Sequence, residues 1–197
     1  MLDTKYIDLI KEKLENVEDA ELKQLVYMLI RDNLNLQKES TIDPLTGLYN
    51  RRILEQLNES PSVAVMCDID DFKAINDTYG HDVGDYVIKN IGVILKENFR
   101  SSDYICRLGG DEFLIIITNY CGEDFILERC KKIKREISDR IILPNHGVTI
   151  SMGVAIDNNY SKIEEIIKKA DESLYKSKNN GKNQVTLSDG IEVKHSK

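Results

Sequence analysis

The chain has 197 residues, of which 41% are hydrophobic and 31% are charged, and its formal net charge is −7. These values are typical of a globular protein and exclude a disordered chain, while the acidic balance excludes a surface that coats nucleic acid. No apolar run reaches the roughly 20 residues of a membrane span, and the N-terminus does not have the pattern of a secretory signal. We therefore expect a cytoplasmic protein with no membrane segment and no nucleic acid partner.

Residues 1–40 have apolar side chains at helical spacing, with a change of phase near residues 16–19. This pattern predicts a helical hairpin or a kinked helix. Two helices cannot bury an apolar stripe alone, so this region either caps its own domain or pairs with another chain for dimerisation or signal transmission. Residues 41–190 are expected to form the main domain, followed by a C-terminal tail at 191–197.

Beyond the boundary marked by Pro44 and Gly47, helical and strand patterns alternate. Apolar runs predict strands at residues 62–68, 104–108, 113–118, 148–156 and 184–187. Apolar spacings of three and four predict helices at residues 50–57, 83–99, 126–137 and 163–175. The expected fold is an α/β sandwich, in which helices flank a mixed, largely antiparallel central sheet and an N-terminal helical extension precedes it.

Acidic side chains cluster at the end of the first long strand and at the tip of the predicted hairpin. Asp68 and Asp70 are expected to point the same way from the strand end, and Asp111 lies at the hairpin tip. Charges at these positions are not expected in the core, and they repel one another unless a cation or water intervenes. If the hairpin packs beside the strand, Asp68 and Asp111 converge, and their hard oxygen atoms suit Mg²⁺. Gly109 and Gly110 leave the backbone bare for a ligand.

A polar segment that begins at Phe72 follows the same strand end. It supplies Lys73 as a partner for phosphate, and then an amide, an imidazole and a carboxylate from Asn76, His81 and Asp85. Guanine presents N1–H and 2-amino donors that require a carboxylate, while its N3 accepts a hydrogen bond from an amide. The two clusters together predict a metal-dependent nucleotide site.

At these residues the sequence resembles the GGDEF family of diguanylate cyclases, whose name is spelled by residues 109–113. Other segments resemble the remaining motifs of the family in order and spacing, at residues 43–52, 68–77, 80–85, 149–155 and 170–178. The resemblance implies a sheet related to the palm of polymerases and adenylyl cyclases. It also implies condensation of two GTP into cyclic di-GMP with release of two pyrophosphates by a catalytic domain at residues 41–190.

The resemblance implies roles for individual residues as well. Asp68, the carbonyl of Ile69 and Asp111 would hold Mg²⁺ or Mn²⁺, and Asp111 would also take the proton of the 3′-hydroxyl. The implied substrate contacts are Phe72, Lys73, Asn76, His81, Asp85, Gly109, Gly110, Lys178 and Lys182. Lys178 and Lys182 are expected to reach in from the last helix. The family commonly has arginine in place of Lys182, so the charge is kept but the bidentate fork is lost.

Arg100 and Asp103 stand at the place of the RxxD inhibitory site of the family, where the cyclic di-GMP product binds. An arginine can bind a guanine edge or a phosphate through two hydrogen bonds. The alternative is an exposed ion pair that contributes at most about 1 kcal/mol. A second arginine often completes this site from the following helix, but residues 130–135 read Cys-Lys-Lys-Ile-Lys-Arg, which predicts weaker inhibition.

Each chain would hold one GTP, so two chains must face each other and a homodimer is expected. The alternative function is a catalytically silent receptor that binds GTP or cyclic di-GMP. Silent members usually lose a metal-binding acid or a glycine of the pentapeptide, and this chain has kept them. A cyclase that makes adenine-containing dinucleotides is disfavoured by Asp85, because adenine has no 2-amino donor for a carboxylate.

Overall fold

A computed structural model of the protein describes residues 9–10, 12–14, 19–39, 41–57, 62–119, 122–156 and 162–188. The chain divides into two compact units, Met1–Thr41 and Ile42–Lys197. In the first unit, helix α1 spans Ala20–Glu39, and residues 9–10 and 12–14 are also helical. The choice between a hairpin and a kinked helix depends on residues 15–18, which lie outside the described residues. In the described ranges, every helix is too short or too polar to traverse a lipid bilayer.

The second unit contains eight strands within its described residues. They are β1 (Tyr49–Asn50), β2 (Val63–Ile69), β3 (Tyr104–Gly109), β4 (Glu112–Ile117), β5 (Ile142–Leu143), β6 (His146–Gly147), β7 (Ile150–Ile156) and β8 (Val185–Leu187). Six of them form one sheet in the order β1-β3-β4-β2-β7-β8, and β5 and β6 form a separate hairpin. Only the β1–β3 and β7–β8 pairs of the large sheet are parallel. The prediction of a mixed, largely antiparallel sheet is confirmed.

Helices cover both faces of this sheet. They are a 3₁₀ helix (Arg51–Gln56), α2 (Phe72–Tyr79), α3 (His81–Asn98), α4 (Glu123–Arg140) and α5 (Ile163–Asn179). One hydrophobic core joins α3 and α4 to the sheet face that carries Val65 and Cys67. The other joins α5 and the 3₁₀ helix to the face that carries Ala64 and Met66. Because β2 is buried on both faces, its sequence is a continuous apolar run rather than an alternating one.

The sequence pattern did not predict helix α2 or the two-residue strands β1, β5 and β6. In α2, Phe72, Ile75 and Tyr79 have helical spacing and pack on the core, but the residues between them are mostly polar, so the segment reads as polar from its sequence. The helix begins after Asp71, whose φ of 54° is left-handed and whose side chain makes no capping hydrogen bond. The segment predicted as a helix at residues 50–57 is a 3₁₀ helix, with Asn50 as its N-cap.

A glycine in β7 determines how closely α5 lies on the sheet. A Cβ atom added to Gly153 would lie 2.1 Å from the carbonyl oxygen of Ala170 and 2.1 Å from the backbone nitrogen of Leu174. Backbone atoms cannot yield at such distances, so this close packing requires glycine. One turn beyond Leu174, Lys178 of α5 reaches Asp68 near the end of β2, with 2.7 Å between Nζ and Oδ2.

Candidate active site

Acidic residues from β2 and from the β3–β4 turn meet at one edge of the sheet. Asp68 is paired across the strands with Glu112, and the Ile69 N–H donates to the Asp111 carbonyl oxygen at an N···O distance of 3.4 Å. Asp68 is 6% exposed, whereas Asp111 is half-buried and Glu112 is exposed. The strand pairing therefore brings Asp68 and Asp111 together, as expected for a hairpin that packs beside the first long strand.

The surroundings of Asp68 disfavour its negative charge. Its carboxyl pKa is raised from 3.8 to about 6, and burial is the main cause. A hydrogen bond from Lys178 lowers this pKa, while the nearby Asp111 and Glu112 carboxylates raise it. One lysine therefore does not balance the three acids. A cluster with this excess of negative charge favours a bound cation.

The donor atoms at this edge fit a magnesium-type ion. The carboxylates of Asp68 and Asp111 and the carbonyl of Ile69 would be hard oxygen ligands from neighbouring chain segments. Over the ranges that the structure describes, no group of three or more His, Cys, Asp or Glu side chains is arranged to hold a metal ion. An incomplete set of hard oxygen ligands would fit a divalent cation whose remaining ligands are water or a bound anion.

The β3–β4 turn presents backbone at the site. Gly109 and Gly110 have φ of 151° and 53°, and a Cβ atom at either position would meet nothing within 4 Å, so backbone conformation rather than space requires glycine. Arg107 donates to the Gly110 carbonyl from Nε at 3.0 Å and from Nη2 at 2.8 Å. Its Nη1 also lies 3.2 Å from Asp43, with both side chains 14% exposed. Arg107 thus fixes the turn that carries Asp111, a role that sequence reasoning missed.

Two lysines from the end of the domain lie near the acids of β2. Lys178 contacts Asp68, and Lys182 Nζ lies 2.6 Å from the Oδ1 of the exposed Asp71. The expectation that Lys182 belongs to the last helix is wrong, since α5 ends at Asn179 and Lys182 follows it with a left-handed φ of 61°. Phe72 and Lys73, the expected phosphate contacts, form the first turn of α2 directly after these acids.

The residues expected to read guanine lie on α2 and α3, which pack against each other. Asn76 is half-buried, and a Cβ atom on Gly84 would lie 2.0 Å from its Oδ1. Gly84 therefore permits Asn76 to occupy its position, another contribution that sequence reasoning missed. Asp85 follows Gly84 and is exposed, as is His81 at the start of α3. The fold thus places the amide of Asn76 close to the helix segment that carries the Asp85 carboxylate.

Asp70 has a different environment from Asp68. Its Oδ1 accepts a hydrogen bond from Ser151 Oγ at 2.6 Å, and its Oδ2 accepts from Thr149 Oγ1 at 2.7 Å and from the Asn183 N–H at 2.9 Å. The expectation that charges at the strand end stay out of the core is wrong, because Asp68 and Asp70 are each 6% exposed. For Asp70, three donors offset the cost of burial.

Arg100 and Asp103 form a closed turn before β3. The Arg100 N–H donates to Asp103 Oδ2 at 2.9 Å, and the Asp103 N–H donates to the Arg100 carbonyl at 3.0 Å. Asp103 is buried, whereas Arg100 is exposed. A cavity of about 360 Å³ adjoins this turn, and its lining includes Tyr49, Lys96, Phe99, Arg100, Asp103 and Ile105. Arg129 of α4 packs on Phe99, with 5.5 Å between Cζ and the ring centroid.

Comparison with known proteins agrees with these features. Residues 40–184 match the family described as diguanylate cyclase, GGDEF domain. The response regulator PleD of Caulobacter vibrioides is 37% identical over 173 residues, covering 79% of this chain and 38% of PleD. The diguanylate cyclase DosC of Escherichia coli is 34% identical over 163 residues, covering 76% of this chain and 35% of DosC. The chain therefore spans little more than a third of the length of these curated relatives.

A solved structure of a GGDEF domain is also similar to this chain. The coiled coil and GGDEF domain of DgcB from Caulobacter crescentus, in complex with c-di-GMP, has a TM-score of 0.70 and 26% sequence identity. The similarity covers 85% of this chain and 96% of the DgcB chain. Because the family match covers most of the sequence and its motifs meet at one edge of the sheet, the chain belongs to the GGDEF domain family.

Proposed function

We propose that this chain is a diguanylate cyclase that condenses two GTP into cyclic di-GMP and releases two pyrophosphates. The observation that carries the proposal is the meeting of Asp68 and Asp111 at one sheet edge, beside Lys178. In this proposal the two acids would bind the metal ion, and Lys178 would bind phosphate beside them. Asn76 and Asp85, on the paired helices that follow β2, add groups that can select guanine. DosC, a relative at 34% identity, is itself named a diguanylate cyclase.

In the proposed mechanism Asp111 accepts the proton of the attacking 3′-hydroxyl. Its carboxylate is half-buried and lies next to the glycine turn, where a Cβ atom at Gly109 or Gly110 would meet nothing within 4 Å. Asp68, Asp111 and the Ile69 carbonyl would hold Mg²⁺ or Mn²⁺. When bound, this ion would neutralise charge that develops on the α-phosphate and the leaving pyrophosphate.

The remaining side chains bind and orient GTP in this proposal. Lys178 and Lys182 now contact acids of the β2 end, and we expect them to exchange these partners for phosphate oxygens. Lys73 and Phe72 would meet the phosphates from the first turn of α2. Asn76 and Asp85 would hydrogen-bond guanine, while His81, Gly109 and Gly110 complete the substrate contacts. Since GTP is a cytoplasmic nucleotide, we expect the domain to act there.

The reaction requires two chains, because each site would hold one GTP. Helix α1 offers apolar side chains that are 45–61% exposed, namely Leu22, Leu25, Tyr27, Met28 and Leu29. An exposed apolar face on a helix favours association with a partner helix. The DgcB structure, to which this chain is similar, contains a coiled coil together with its GGDEF domain. We therefore assign residues 1–40 to dimerisation and signal transmission.

Product inhibition at the Arg100–Asp103 turn is part of the proposal. The exposed Arg100 can offer paired donors to a guanine edge or a phosphate of cyclic di-GMP beside the adjoining cavity. Asp103 uses one carboxylate oxygen to close the turn and so keeps Arg100 in place. The second cation of the site can come from Arg129, which lies on the following helix and packs on Phe99. Residues 130–135 do not offer an arginine at the position where the family often has one.

The test is a product assay with the purified chain, GTP and Mg²⁺ over a range of protein concentrations. We expect release of pyrophosphate and formation of cyclic di-GMP, with a rate per chain that rises as dimers form. A parallel reaction with ATP and GTP together tests base selection, and added cyclic di-GMP tests inhibition in the wild type and in Arg100→Ala. A confirmed dimer that releases no pyrophosphate would overturn the cyclase proposal.

A further inference from the structure

We propose that Lys134 is a positioning residue for substrate binding. Together with Asp70 it holds the backbone of Asn183, and this contact fixes the loop at residues 180–184 so that Lys182 faces the phosphate end of the site. The identity of the ligand as GTP rests on the function proposed above. The geometry of the contact does not depend on that function.

The burial of Lys134 requires an explanation. It lies on α4 and is only 4% exposed, although a lysine is rarely buried unless it has a partner. Burial lowers its pKa from 10.5 to about 8, and the negative charge of Asp70 acts in the opposite direction. The partner of its Nζ is the carbonyl oxygen of Asn183, which is distant in sequence. Lys134 therefore serves the 180–184 loop rather than its own helix.

The loop that receives this hydrogen bond has an unusual backbone. Gly181, Lys182 and Asn183 have consecutive positive φ of 109°, 61° and 46°. A left-handed conformation costs roughly 1–2 kcal/mol for an ordinary L-residue, although asparagine tolerates it better. Lys182 and Asn183 therefore both have a conformation whose cost must be offset by hydrogen bonds of the loop and of its neighbours.

Two buried groups of opposite charge supply those contacts at a single residue. The Asn183 N–H donates to Asp70 Oδ2 at 2.9 Å, while the Asn183 carbonyl accepts from Lys134. The residue before it, Lys182, has its own N–H bound to the Ser177 carbonyl at 3.1 Å. Its side chain extends to Asp71, with 2.6 Å between Nζ and Oδ1. The position of Lys182 is thus determined by its own contacts with Ser177 and Asp71 and by the contacts of the next residue, Asn183.

A substitution of Lys134 tests this arrangement more specifically than a substitution of Asp70. Asp70 lies two residues from Asp68 and also binds Thr149 and Ser151, so its loss would disturb the proposed metal site directly. Lys134 belongs to α4, on the sheet face opposite α5, and within the part of the chain that the structure describes its Nζ donates to the Asn183 carbonyl of the loop. Its removal should therefore act on GTP through Lys182.

The experiment is a double-mutant cycle with Lys134→Met and Lys182→Met. The Michaelis constant and kcat for GTP are measured, together with the affinity for a non-hydrolysable GTP analogue with Mg²⁺. We expect each single variant to raise the KM about tenfold and to change kcat much less. The double variant should equal Lys182→Met alone, because Lys134 acts through Lys182. If the two effects multiply to about a hundredfold, Lys134 has an independent structural role and the proposal is overturned.

A matched control separates this effect from a general loss of charge on α4. Lys131 lies on the same helix and pairs with Glu128 at 2.6 Å, away from the loop. Lys131→Met should leave the KM for GTP unchanged. An equal increase in KM for Lys131→Met and Lys134→Met would contradict the positioning role.

The wild-type protein provides a test that needs neither turnover nor a folded Lys134 variant. Amide hydrogen exchange in the nucleotide-free protein should show a protected Asn183 N–H, because its acceptor is the buried Asp70. Rapid exchange that slows only when the GTP analogue binds would mean that the loop is not preorganised, and this would overturn the inference. Binding of the analogue without pyrophosphate release would overturn only the cyclase proposal.

Discussion

Two acids at the end of β2 stand two residues apart and are equally buried, yet their surroundings are opposite. Asp70 is held by two hydroxyls and one backbone N–H, from Ser151, Thr149 and Asn183. Asp68 has one lysine partner, Lys178, and is repelled by neighbouring carboxylates. The two carboxylates are therefore equally buried, but they differ in the number of hydrogen-bond donors that bind them.

This difference separates two uses of a buried carboxylate. An acid with enough donors is a rigid junction, because each hydrogen bond ties another segment to it. An acid with too few donors keeps an unbalanced charge, which lowers stability but allows a cation to bind. We therefore expect substitutions on the Asp70 side to reduce stability and those on the Asp68 side to reduce activity.

The largest effect is expected for activity on the Asp68 side. Asp111→Asn removes the proposed proton acceptor and one metal ligand, so pyrophosphate release should fall by about 10²–10⁴-fold while the thermal unfolding midpoint stays close to that of the wild type. Asp82→Asn is the control, since Asp82 is an exposed acid in the first turn of α3. Full activity of Asp111→Asn would show that the proton acceptor is wrongly assigned.

The next effect concerns stability on the Asp70 side. Asp70→Ala leaves the donors of Ser151, Thr149 and Asn183 without their acceptor, so the free energy of unfolding should fall by about 3 kcal/mol. Urea denaturation monitored by circular dichroism measures this change. A decrease below about 1 kcal/mol would mean that the donor-rich environment is not stabilising, and the contrast with Asp68 would fail.

A pH series compares the two regions more closely. Because the folded-state pKa of Asp68 is raised from 3.8 to about 6, its contribution to the free energy of unfolding should fall as pH rises through this interval and stay constant above it. Asp68→Asn lacks this titration. Its free energy of unfolding relative to the wild type should increase by as much as about 3 kcal/mol between pH 4 and pH 6 when metal is chelated. A difference that does not vary with pH would contradict the raised pKa.

The smallest effect is expected at Asp71, the exposed acid beside both regions. Its ion pair with Lys182 is solvent-exposed and contributes at most about 1 kcal/mol. Asparagine also tolerates the left-handed φ of 54° at this position. Asp71→Asn should therefore change the free energy of unfolding by less than about 0.5 kcal/mol in urea denaturation. A change as large as that for Asp70→Ala would show that proximity to the strand end, rather than donor number, controls stability.

The sequence predicted the parts of this molecule whose signals are local. The apolar run of β2, the hairpin around Gly109 and Gly110, and the long amphipathic helices all have patterns within short windows. Helix α2 was not predicted because its core-facing residues, Phe72, Ile75 and Tyr79, stand in a short and mostly polar segment. The end of the last helix was also misjudged, since Lys182 lies beyond it in a loop.

The environment of the two acids could not be predicted from local patterns. Asp70 is bonded to Thr149 and Asn183, which are distant in sequence, so no nearby residue reveals its role. The same is true of Lys134, whose helical spacing does not indicate a buried lysine. Asp111 was identified because its motif is contiguous, whereas the supporting contact from Arg107 to Asp43 joins segments that are far apart.

The contact between Gly153 and α5 has a consequence for the dimensions of the site. Helix α5 packs directly on the backbone of β7 at Gly153, and a side chain at this position would push α5 away from the sheet. Because Lys178 lies on α5, its distance from Asp68 would then increase. The distance between Lys178 and Asp68 is thus determined in part by the absence of a side chain at Gly153.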